Sequence, residues 1–209
     1  MIDLNEFAKE VYANAVSHGW YDKGERTEAE IFANIHSEWS EAFDAYAHGE
    51  PWYYHSCGDP ATKDEICEGF SDCYSRKIGW DGDHCFMRNK KPEGIAVELI
   101  DGVIRILDFV GYFNSRHDKG EKIIIKKPPE GIIDLDICKI ICKLHSNTAD
   151  AWYYMLGEKI IDTVNKLLNW NIETVFLTIS RHGLDPEAIM LEKHEYNKTR
   201  PYRHGGKVV

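Results

Sequence analysis

The stretch that decides the fold is IAVELIDGVIRILDFV, residues 95–110. Ile95, Ala96, Val97, Leu99, Ile100, Val103, Ile104, Ile106, Leu107, Phe109 and Val110 make it apolar over most of a helix circumference, and such a helix is normally buried. Pro92 suits the first turn, so the pattern predicts a helix over 92–115. The polar residues are not scattered. Glu98, Asp101, Arg105 and Asp108 follow at steps of three, four and three, which puts them on one helix face. Either that face is the solvated side of an amphipathic helix, or it carries charge into a helix–helix seam. Acids are seldom buried unless they are paired or hold a metal. Asp108 has a third option, pairing with Arg105 or with a neighbouring helix.

A second acidic pair lies upstream in IHSEWSEAFDAY, residues 35–46. Thr27 and Glu30 have the spacing of a capping box, so a helix is expected to open there. Ile31, Ile35, Trp39, Ala42 and Tyr46 then recur at steps of four and three, giving one apolar stripe to about His48. Gly49 and Pro51 end it. Glu38 and Glu41 border that stripe, so they point toward a seam rather than straight into water. Two such pairs on packed helices place four carboxylates around one point. Their repulsion requires a cation or protonation. Hard cations take oxygen ligands, so Mg2+, or Mn2+, is the expected ion, in company with phosphate. A di-iron bundle site would need Glu-x-x-His pairs, and neither Glu38 nor Glu98 has His at the third position.

Around these two helices the chain reads as an all-α bundle in one domain, residues 1–209, with an irregular cysteine-containing insertion at about 50–91. Helices are expected at 2–19, 134–145, 148–169, 172–182 and 186–199. The last starts at Asp185-Pro186, an N-cap followed by proline at the first helical position. Within the insertion a short helix fits 62–76. KIIIKKPPEG, residues 122–131, reads as a linker or an extended segment. The insertion holds Cys57, Cys67, Cys73 and Cys85, with His55 and His84 beside two of them. No Cys-x-x-Cys pair occurs, so free thiols are favoured over structural zinc. Cys138 and Cys142 are simplest as small apolar residues on a helix. Trp52, Tyr53 and Tyr54 are packing anchors or a platform for a base.

The formal net charge of −10 argues against a general nucleic-acid binder, and no duplex partner is expected. No apolar run suits a membrane span, because 95–110 is broken by charges. The first twenty residues carry early acids and lack the apolar core of a secretory signal. A cytoplasmic protein with six reduced cysteines is the resulting expectation.

With both acidic pairs, the KPEG entry at 91–94 and the tail EKHEYNKTRPYRHGGK at 192–207, the chain resembles the MazG-like branch of the all-α nucleoside triphosphate pyrophosphohydrolase superfamily. That family carries E-x-x-E followed, on a later helix, by E-x-x-D. The resemblance spans residues 28–50, 90–115 and 184–207. It implies Mg2+-dependent hydrolysis of a nucleoside triphosphate, with a deoxynucleotide favoured, to the monophosphate and pyrophosphate. It also implies a homodimer or higher homo-oligomer. Glu38, Glu41, Glu98 and Asp101 would be the metal ligands, and Glu38 or Glu41 would take the proton from water. The gap between Glu41 and Glu98 is longer than the family usually shows.

Lys193, Asn197 and Arg200 lie at steps of four and three on one face of the last helix, followed by Arg203 and Lys207. They suit triphosphate oxygens, although cations near a helix C-terminus also simply complement its dipole. Asn34, one turn before Glu38, faces a base or sugar, or is a surface amide. The alternative from another class is a non-catalytic helical interaction or nucleotide-binding module that keeps the bundle.

Overall fold

A computed structural model describes residues 2–22, 26–57, 90–117, 120–157 and 160–203. Its elements are α1 (Leu4–Ser17), α2 (Glu28–Ala47), β1 (Tyr54–Cys57), β2 (Lys90–Glu93), α3 (Ile95–Arg116), α4 (Ile137–Leu156), α5 (Ile161–Arg181) and α6 (Pro186–Lys198). Helix dominates, as the sequence pattern requires. The start of α2 is the expected capping box. Thr27 Oγ1 accepts from the Glu30 N–H at 3.2 Å, and the Glu30 carboxylate accepts from the Thr27 N–H at 2.8 Å. Asp185 caps α6 by accepting from the N–H groups of Glu187 and Ala188, with Pro186 at the first position.

The helix α3 is the axis of the fold. It packs most extensively against α1 and α2, and it also meets α5 and α6. This explains its sequence: a helix with neighbours on nearly every side needs apolar residues on nearly every side, and its aliphatic and aromatic residues are buried. Each fully buried large aliphatic there contributes about 1.5–3 kcal/mol. A second layer, α4 against α5, joins the first through contacts of α4 with α2.

Two glycines of α3 set how closely its neighbours approach. A Cβ on Gly102 would lie 2.0 Å from the ring of Trp39 on α2. A Cβ on Gly111 would lie 2.5 Å from the Ala8 carbonyl on α1. Trp39 is fully buried, and its indole N–H donates to Thr148 Oγ1 of α4 at 3.0 Å. That hydroxyl donates in turn to the Leu144 carbonyl and accepts from Asn171 of α5. One side chain therefore ties three helices to α3.

Several expected boundaries need correction. The breaks expected near 146 and 170 do not exist: 137–156 and 161–181 are continuous helices. Ser146-Asn147-Thr148 imitates a helix start in sequence, but Thr148 satisfies its hydroxyl on the carbonyl four residues back. The break instead falls at Gly157, the C-cap of α4. Pro92 does not open α3. It lies in β2, which pairs antiparallel with β1, Tyr54 opposite Glu93 and Cys57 opposite Lys90. The two ends of the insertion thus meet in a short ladder that periodicity could not reveal. Gly94, at φ 106°, turns β2 into α3, and the Ile95 and Ala96 N–H groups donate to the Pro51 and Trp52 carbonyls. The segment at 121–129, after α3, is neither helix nor strand. Asn114 and Asn5 hold it through paired backbone bonds to Ile123 and Ile125, which are buried.

The short helix expected at 62–76, and Cys67, Cys73, His84 and Cys85 of the zinc alternative, lie outside the described residues. His55 is described, and its Nε2 meets Glu192 of α6 at 2.7 Å. Cys138 and Cys142 are free thiols on α4, the first half-buried and the second exposed. No helix among the described residues is long and apolar enough to cross a membrane.

Candidate metal centre and adjoining cavity

The close approach of α2 to α3 has a direct consequence for the acids. Glu38 precedes Trp39, and Asp101 precedes Gly102. Seating the Trp39 ring on Gly102 therefore brings Glu38 beside the α3 stripe. Glu98, Asp101 and Glu38 each present a carboxylate oxygen within 4.8 Å of the others. Of the four expected ligands, these three converge. Glu41 is exposed and lies outside the group. It is still near enough for its charge to act on both Glu38 and Glu98.

Two cations enter the cluster. Arg105 donates from Nε to Glu38 Oε1 at 2.8 Å. Lys193, 3% exposed, sits 2.8 Å from Asp101 Oδ2. Burial alone would weaken the Lys193 charge, but the Asp101, Glu98 and Glu93 carboxylates outweigh burial and hold the ammonium protonated above its ordinary value. Among the described residues no cation pairs with Glu98 at ion-pair distance. Burial first, then the Asp101 charge, pushes its carboxyl up to about 8, with Lys193 opposing. Burial also raises Glu38, against the pull of Arg105. The cluster therefore carries one more acid than its own bases offset.

An all-carboxylate oxygen set fits a hard divalent ion, and a +2 charge would return Glu98 to its ionised form. The cluster could hold a metal ion on these grounds. The α3 stripe is not a solvated face: Glu98, Asp101 and Arg105 are half-buried. Asp108 is buried, paired with Arg26 at 3.4 Å and accepting from the Tyr21 hydroxyl at 3.0 Å. Its partner is thus a residue preceding α2, not Arg105.

The remaining expected site residues divide. Lys193 reaches the acids directly. Asn197 and Arg200 line a half-open cavity of about 490 Å³, solvent at its mouth included, which shares Asp101 and Arg105 with the cluster. Arg203 turns away to another task. Its N–H donates to the His18 carbonyl at 3.0 Å and its Nε to the Gly19 carbonyl at 2.9 Å, with a positive φ of 47°. It rivets the C-terminal segment to the turn after α1. Asn34 is half-buried on α2 and is not among the residues lining the cavity. Lys207 lies outside the described residues. Trp20 and His194, which line the cavity, and Arg105 as the partner of Glu38 are site residues that spacing along the chain does not single out. Only Arg105 left a signal, its place in the polar stripe of α3. No family model matches this chain, and no curated protein or solved structure matches it.

Proposed function

We propose that the protein is a metal-dependent nucleoside triphosphate pyrophosphohydrolase of the MazG-like kind, using Mg2+ or Mn2+ to release pyrophosphate from a nucleotide, with a deoxynucleotide favoured. The observation that carries this is the convergence of Glu38, Glu98 and Asp101 within ligand distance of one another. Those three residues would hold the ion. When bound, it supplies positive charge against the phosphate oxygens and makes water at the site more acidic. Lys193 stands at the edge of the cluster as a fixed cation suited to a phosphate oxygen. Arg105 holds the Glu38 carboxylate in one orientation. Glu41, exposed beside the cluster, is the carboxylate left to accept the proton from water. A homo-oligomer acting without membrane or duplex nucleic acid belongs to the same proposal.

The test is pyrophosphate release from a panel of ribo- and deoxynucleoside triphosphates, with and without Mg2+. Turnover is expected only with the metal. Glu98→Gln and Asp101→Asn should each lower it by at least about two orders of magnitude. No turnover of any nucleotide by well-folded protein refutes the proposal. One observation favours the non-catalytic alternative: Lys193 and Arg105 already neutralise two of the three acids. In that case nucleotide binds by calorimetry and no pyrophosphate appears.

A further inference from the structure

The cavity beside the acid cluster has a lining that the metal chemistry does not use. Its floor is apolar, from Val11, Ala15 and Ile104. Two arginines reach it, Arg105 and Arg200, but so do Asp101 and Asp108. The cationic and anionic groups offset one another, so the cavity is not an anion pocket. It shares Asp101 with the acid cluster, so an occupant lies next to whatever the carboxylates hold.

Two buried polar atoms on residues lining it have no hydrogen-bond partner: His194 Nε2 and Asn197 Oδ1. Buried polar groups are nearly always satisfied, so two orphans one helical turn apart on α6 call for a partner. His194 is 1% exposed, and its ring is fixed edge-on against Phe7 of α1 at 4.9 Å. Burial, with Lys198 next, lowers its proton affinity, so it is neutral, with one ring nitrogen donating and the other accepting. Asn197 adds an amide three residues later. A neutral imidazole and an amide together supply donor and acceptor capacity, the chemistry that complements the edge of a nucleobase.

Trp20 supplies an aromatic wall. Its loop is held in place from outside. Arg203 binds the His18 and Gly19 carbonyls, and Tyr202 donates to Asp22 at 2.8 Å while its ring covers Gly19. A wall held this way needs no ordering when a ligand arrives.

We infer that this cavity, between Trp20 and the His194–Asn197 edge, is the subsite for the planar base of the nucleotide whose phosphates meet the acid cluster. The inference rests on the pyrophosphohydrolase proposal for the phosphates but is tested apart from it. It assigns Asn197 to the base, where the spacing on α6 alone suggested the triphosphate.

The test is calorimetric titration with nucleoside 5′-monophosphates carrying each base, and separately with inorganic pyrophosphate plus Mg2+. Trp20→Ala and Asn197→Ala should each weaken the preferred monophosphate by about tenfold. Pyrophosphate binding should change less than about twofold. In wild-type protein the monophosphate should shift the Trp20 indole and His194 ring NMR signals, and pyrophosphate should not. Equal weakening of both ligands, unchanged monophosphate affinity in both variants, or no shift at Trp20 and His194 overturns the inference. If wild-type protein turns over no nucleotide yet binds the monophosphate in a Trp20-dependent way, the hydrolase proposal fails and the subsite stands. If it turns over nucleotides and both variants keep wild-type kcat/KM, the subsite fails and the hydrolase stands.

Discussion

Glu98 offers a test in which stability and function move in opposite directions. Its carboxyl, raised to about 8 in the folded protein, has an ordinary value of 4.5 when unfolded. Between those values the folded state holds a proton that the unfolded state has released. Stability therefore falls as pH rises through this window, and above it the full cost is present. At pH 7 the two values correspond to about 3 kcal/mol lost relative to a side chain that never ionises. Glu98→Gln is such a side chain. Without metal it should stabilise the protein at pH 7 by about 3 kcal/mol, raising Tm by roughly 6–12 °C for a chain of this size. The gain should vanish at about pH 4 and below, where both states of the wild type are protonated. Mg2+ should raise the Tm of the wild type, with a larger effect at pH 8 than at pH 6, because binding must displace the Glu98 proton. The variant should show no metal effect. Scanning calorimetry with and without Mg2+ over this pH range decides the matter. An apo variant no more stable than wild type at pH 7 refutes the electrostatic account of Glu98, and an undiminished Mg2+ shift in the variant removes it from the metal site.

Three further outcomes follow from packing and charge. Gly102→Ala should cost about 1–3 kcal/mol by driving a methyl into Trp39, and urea denaturation should show part of it recovered on adding Trp39→Leu. Arg26→Met should cost about 3–5 kcal/mol, also read by urea denaturation, because it leaves the buried Asp108 carboxylate without the cation that offsets its burial. His36 and His145 stack across α2 and α4 with their Nδ1 atoms 2.8 Å apart, an arrangement in which one nitrogen donates and the other accepts. Burial holds both below the ordinary histidine value, so the unfolded chain takes up protons first as pH falls through about 6.5. Melts at pH 7.5 and 5.5 should show lower stability at pH 5.5, a loss that His145→Phe reduces.

The sequence by itself determined the helical class, the caps at Thr27 and Asp185 and the central place of 95–110, because each rests on local periodicity or on a side chain bonding its own backbone. The i, i+3 spacing also put Glu98 and Asp101 on one face without any knowledge of the fold. What lay opposite that face was beyond local reasoning. Lys193 meets Asp101, Arg105 meets Glu38 and Arg26 meets Asp108 only because helices far apart in the chain are packed together. The β1–β2 ladder is likewise invisible in four-residue segments, too short for a period to emerge. Glu38 and Glu41 have equal standing in sequence. Tertiary structure separates them: the rotation of α2 that seats Trp39 on Gly102 buries Glu38 among the acids and leaves Glu41 in solvent. A helix has one rotational setting once its largest side chain is locked, and that setting decides which acid enters the site.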